Sequence, residues 1–171
     1  LAINHQQLLL IIGIGNTLRR DDGAGWRMAE ALAAALAQAG VVVHLESCQQ
    51  LTPEVAEAAA ELAPAAIVFV DASPAVPAPT LASLHADAGG GAASHHLSPV
   101  TLLAILDKLY GVKVAGWLVQ TPAEDFAHGE GLSAAAQRGV DEAPAVAALI
   151  RKSAEGFPPP PARRGLWQPG L

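Results

Sequence analysis

The sequence is short of cysteine, aromatics, positive charge and long apolar runs, and each shortage closes a class of function. Cys48 is the only cysteine among 171 residues, so there is no disulfide framework and no thiolate-rich metal site. It reads as a small apolar residue following a strand. The 16 acidic residues outnumber the 10 basic ones, for a formal charge of −6, and no basic stripe appears. A phosphate-backbone partner is therefore not expected. No apolar run approaches the roughly 18 residues of a membrane span. LLLIIGIG at 8–15 has neither the charged lead nor the small-residue cleavage site of a secretory signal. The expectation is a soluble, cytoplasmic protein with no membrane or nucleic-acid partner. Aromatics make up 4% of a chain that is 51% apolar, so Ala, Leu and Val must close the core, as helices laid on a sheet allow.

What is present alternates between strand and helix. Residues 7–14, QLLLIIGI, form the nearly unbroken apolar run of a strand covered on both faces. Trp26, Ala29, Leu32, Ala33 and Leu36 follow at helical spacing over 23–39, closed by Gly40. Strands are expected at 41–47 and 65–71, with a helix between them opened by Thr52 and Pro53. A proline-broken turn at 72–80 leads to a weaker strand at 81–86, too close behind its predecessor for a helical crossover and hence antiparallel. Ser98-Pro99 open a helix through Tyr110, a last strand covers 112–120, and a final helix runs over 133–152. The pattern predicts a three-layer α/β/α sandwich with a mostly parallel, mixed sheet of about five strands. Residues 7–153 read as one domain, residues 1–6 as a leader without structure, and 154–171 as a proline-rich, solvated tail.

In open sheets of this kind ligands sit beyond the carboxyl ends of the strands. That rule selects the loops after the first, third and last strands. The first is GIGNTLRRDD, 13–22. A dinucleotide turn fails there, because the sixth position of G-x-G-x-x-G is Leu18, and no P-loop occurs anywhere. Asp22-Gly23 before a helix is good N-cap chemistry. A cap explains only one of the two acids, and it leaves unexplained the tight Gly15-Asn16 turn, which lets the backbone approach something closely. Asp71 stands where the third strand stops, at the same sheet edge. His95 and His96 end a Gly/Ala-rich loop, whereas His5, His44, His85 and His128 read as isolated surface or core residues. Two carboxylates and an imidazole suit a borderline divalent cation.

At these residues the chain resembles a known family. GIGNTLRRDDGAG (13–25) resembles the signature of the hydrogenase maturation endopeptidases, and the likeness continues through VFVDAS (68–73), SHHLSPVTLL (94–103) and WLVQTPAEDFAHGEGLS (117–133). It spans roughly residues 7–150, in order. The resemblance implies a phosphorylase/hydrolase-like sandwich that trims the C-terminal extension of a nickel–iron hydrogenase large-subunit precursor after nickel insertion. It places the catalytic and metal-facing roles on Asp22, Asp71 and His95, with Asp21 and His96 as alternatives, and lines the substrate cleft with Gly15 and Asn16. Some members carry Glu at the first position, so Asp22 is one methylene shorter. The nickel comes with the precursor, and zinc or cadmium could occupy the same place in vitro.

Two rivals come from other classes. A phospho-acceptor signalling domain would also use an acidic pair after strand one and an Asp ending strand three. Here the pair begins well beyond Ile14, and no lysine follows the last strand, which ends in Gln120-Thr121-Pro122. A non-catalytic chaperone that binds the nickel site of its partner would use the same ligands as a protease. No Ser-His-Asp order or Cys-His pair is evident, so a nucleophilic-residue protease is not expected.

Overall fold

The computed structural model describes residues 7–85 and 97–155. The strands are β1 (Leu8–Ile14), β2 (Val42–Cys48), β3 (Ala66–Ser73), β4 (Thr80–Leu84) and β5 (Ala115–Pro122). The helices are α1 (Ala24–Gln38), α2 (Pro53–Leu62), α3 (Pro99–Tyr110), α4 (Ala134–Asp141) and α5 (Ala143–Ala154). One sheet runs in the order β2-β1-β3-β5-β4. All neighbours pair in parallel except β4, which lies antiparallel to β5, as its short proline-rich lead requires.

Side chains alternate across each strand, so an unbroken apolar strand supplies two cores. Leu9 and Ile11, Val68 and Val70, and Trp117 and Val119 meet α1 and α5 on one face. Leu10 and Ile12 join Ile67 and Phe69 under α2 and α3 on the other. Each fully buried Leu, Ile or Phe contributes roughly 1.5–3 kcal/mol, and these two sheets of side chains hold the three layers together. α1 buries Met28, Ala29, Leu32 and Leu36 along one stripe. Its first turn presses directly on the sheet: a Cβ on Gly25 would stand 2.2 Å from the Ile14 carbonyl oxygen and 3.0 Å from that of Val70. The acidic loop is thereby carried over the ends of β1 and β3.

Several boundaries differ from the sequence expectation. The final helix is two helices, because Pro144 has no N–H to continue the ladder of α4, and the chain restarts after Glu142 with proline in the first turn of α5. β3 continues through Ser73, so Asp71 lies inside a paired strand, opposite Gln120, rather than at its end. β5 begins at Ala115 and runs on to Pro122. α3 starts as expected, Ser98 Oγ accepting the Thr101 N–H at 3.1 Å. No helix among the described residues is long and apolar enough to cross a membrane. The expected leader and nearly all of the proline-rich tail lie outside the described residues.

Candidate active site

The loop from Gly15 to Gly23 is wound onto itself by short-range bonds. Gly15 has φ +138° and donates its N–H to the Cys48 carbonyl at 3.0 Å. A Cβ there would lie 1.9 Å from the Asp22 carbonyl oxygen, so no side chain fits. Asn16 Oδ1 accepts the Leu18 N–H at 2.9 Å, turning the chain, and a 3-10 turn follows at Arg20–Gly23. Asp22 does not cap α1, contrary to the sequence expectation. The N-cap is Gly23, without a side-chain bond, because the 3-10 turn places Asp22 one step too early. Instead Asp22 Oδ2 accepts the Asn16 N–H at 3.2 Å, and 26% of the Asp22 side chain is exposed. In this structure the Gly15-Asn16 turn is thus what holds Asp22. The close backbone approach expected from its sequence is made to Asp22 itself.

Asp21 does something the sequence did not announce. It is fully buried, and its carboxylate accepts four bonds: from Glu124 N–H (2.8 Å), Asp125 N–H (3.0 Å), Ser133 N–H (2.7 Å) and Ser133 Oγ–H (2.7 Å). Burial by itself raises its pKa, and the donors of Glu124, Ser133 and Asp125 outweigh that, leaving the pKa below the usual carboxylate value. With both oxygens committed, Asp21 is a tie between the β1–α1 loop and the β5–α4 loop rather than an open ligand. Arg20 reinforces the tie in a left-handed conformation (φ +43°), its N–H bonded to the Gly129 carbonyl at 2.9 Å and its guanidinium 3.3 Å from the Asp125 carboxylate. Such backbone strain costs on the order of 1 kcal/mol and survives where the surroundings hold it. Ser133 had been read only as the start of a helix, which it is: its Oγ accepts the Ala136 N–H at 3.1 Å. Two adjacent aspartates were the one sequence signal that a second partner was needed.

Asp71 is half-buried on β3, next to the loop carried by β1. Burial pushes its carboxyl up to about 6, the Ala72 N–H at 2.9 Å pulls the other way, and the Asp22 charge raises it further. Asp22 and Asp71 therefore sense each other across the ends of adjacent strands. At the end of β2, burial and the charges of Asp71 and Glu46 push the Cys48 thiol up to about 11. Cys48 is thus a neutral thiol at pH 7 and no nucleophile. Its carbonyl also receives the Trp26 Nε1–H at 3.0 Å, fastening α1 to β2. His95 and His96 lie outside the described residues. Among the described residues, no three His, Cys, Asp or Glu side chains gather closely enough to hold a metal ion. His44 pairs with Glu46 at 2.8 Å and His85 contacts Ser83 at 3.4 Å, in keeping with their reading as isolated surface residues.

No protein-family model matches the sequence, and none of the curated proteins does. Solved structures do. A [NiFe] hydrogenase maturation protease, HycI from Thermococcus kodakarensis KOD1, aligns with TM-score 0.62 at 20% identity, over 91% of this chain and 97% of its own. The hydrogenase maturating endopeptidase HybD from E. coli aligns with TM-score 0.58 at 19% identity, over 85% and 93%. HybD from Thermococcus kodakarensis aligns with TM-score 0.54 at 21% identity, over 84% and 98%. At such identities the likeness is one of architecture: this chain has the fold of the [NiFe] hydrogenase maturation proteases.

Proposed function

We propose that the protein is an endopeptidase that removes the C-terminal extension of a nickel–iron hydrogenase large-subunit precursor once nickel is in place. The observation that carries this reading is the placement of Asp71 on β3 beside the β1–α1 loop that carries Asp22, near enough for the Asp22 charge to add to the burial that raises the Asp71 pKa. The shared fold and the sequence signature at 13–25 support it. In this reading Asp22 and Asp71 face the nickel borne by the precursor, and His95, or His96 beside it, supplies the third donor. In this reading the nickel is part of the substrate rather than a resident cofactor of the protease. Zinc or cadmium would take its place in vitro.

A carboxylate titrating near 6 is ionised at neutral pH yet still basic enough to accept a proton from water. Asp71 takes that proton as the water oxygen attacks the scissile carbonyl, and returns it to the departing amine as the peptide bond breaks. This is an aspartate-based hydrolysis that needs no thiol or serine nucleophile, consistent with the inert state of Cys48. In this reading the reaction takes place in the cytoplasm.

The test is cleavage of a large-subunit precursor, nickel-loaded or nickel-free, by the wild type and by Asp22→Ala, Asp71→Ala and His95→Ala. Nickel-dependent release of the C-terminal peptide is expected, falling by about 100-fold or more in each variant. No cleavage of a competent nickel-loaded precursor would sink the peptidase reading and leave a binding role.

A further inference from the structure

Among the described residues β2 is the outermost strand of the sheet, and its far edge pairs with no other strand. Natural sheets blunt such edges with proline, lysine, bulges or short length. β2 has no proline and no lysine, its one charged residue, Glu46, is paired with His44, and its register with β1 is unbroken from Val42 to Cys48. The opposite edge, β4, has only five residues and follows Pro74, Pro77 and Pro79. Val42 and Leu45 stand exposed along β2. Between β2 and α2 runs a groove of about 200 Å³, floored by Leu10 and Ile12, walled by Val55 and Leu62, and rimmed by Glu46 and Glu54. It ends at Cys48, whose carbonyl holds Gly15 and Trp26 and whose thiol feels the charge of Asp71. The open edge thus ends at Cys48, beside the Gly15 turn that holds Asp22 and one strand away from the loop that carries it.

We infer that the free edge of β2 is the docking site for an extended segment of the substrate protein, which adds as a sixth strand and is led by it to Asp22 and Asp71. This rests on the peptidase reading. A peptide bond presented for cleavage must be drawn out of any helix or turn, and strand addition does so with main-chain bonds that serve many sequences. Side chains alternate along the added strand, so those on the α2 side reach the groove. Its apolar floor takes aliphatic groups, and the rim of Glu46 and Glu54 selects for lysine or arginine among them. Seven paired residues span roughly 23 Å, enough to orient the segment before it reaches the cleft.

The experiment is backbone hydrogen–deuterium exchange on the full-length protein, as Asp71→Asn to slow turnover, with and without the nickel-loaded precursor used in the cleavage assay. Amides in 42–48 are expected to exchange at least about ten-fold more slowly with precursor, and those in 80–84 to stay unchanged. Alongside, Glu46→Lys with Glu54→Lys, both at the surface, should raise KM about ten-fold while kcat stays within about three-fold. Cleavage by the wild type without protection of 42–48 overturns the docking site and leaves the peptidase reading standing. Protection of 42–48 without any wild-type cleavage does the reverse. Neither cleavage nor protection overturns both. If 42–48 are protected in the free protein and lose that protection when residues 156–171 are deleted, the chain's own tail occupies the edge and the inference is wrong.

Discussion

Asp71 carries a charge that the folded state resists. Its carboxyl titrates near 6 against an ordinary value of 3.8, so the native protein holds the proton more tightly than the unfolded chain does. Ionised Asp71 therefore opposes folding in full above about pH 6, and the opposition fades as pH falls through 6 toward 4. Two units correspond to about 2 kcal/mol after allowance for partial solvent exposure. Asp71→Asn keeps an acceptor for the Ala72 N–H and should stabilise the metal-free protein by about 2 kcal/mol near pH 7.5, with the advantage vanishing near pH 4; urea melts at both pH values measure it. Asp21 behaves oppositely. Asp21→Ala takes the acceptor from three part-buried N–H groups and a hydroxyl, and should cost roughly 2–4 kcal/mol in the same melts. The sequence showed both acids but not their division of labour. Which of two neighbouring aspartates turns inward depends on the Glu124, Asp125 and Ser133 donors, brought in by a loop over a hundred residues away. No local pattern contains that information.

The loops were the least legible elements, and one of them carries Asp22. The alternation of strand and helix could be read because apolar period and capping residues are local signals: Ser98-Pro99 and Ser133 begin helices as their sequences say. The break at Pro144 was visible in principle and outweighed by the apolar spacing around it. The 15–23 loop could not be read in this way. Its path is set by Asn16, Arg20 and two bonds to Gly129, which are tertiary facts. Gly15→Ala places a methyl against the Asp22 carbonyl at a φ that L residues avoid. It should destabilise by about 2 kcal/mol or more, and abolish cleavage in molecules that remain folded, as judged by near-UV circular dichroism. Thr121→Val tests the neighbouring strand end. The Thr121 hydroxyl is buried with no hydrogen-bond partner among the described residues, so its removal should be neutral or stabilising by up to about 1 kcal/mol.

For the molecule as a whole, the mixed five-stranded sheet followed from the order of elements and one short turn, both written in the sequence. The completeness of the site did not follow. Because the proposed reaction brings its nickel with the precursor, the isolated protein should bind nickel or zinc weakly. Calorimetry that finds nanomolar affinity, lost in Asp71→Ala, would contradict this. The buried tie between the two loops bears on the protein's own synthesis. Both acidic residues of the cleft have been made once Asp71 is translated, but Ser133, which fastens Asp21, lies 112 residues downstream of it. Contacts so far apart in the chain close late. A nascent or truncated chain that stops before Ser133 thus has the short-range bonds of the 15–23 loop but lacks the Ser133 donors that fasten buried Asp21. The loop that carries Asp22 is therefore locked against the rest of the fold only after translation has passed Ser133, and under the proposed reading no client could be cut before the chain is nearly finished.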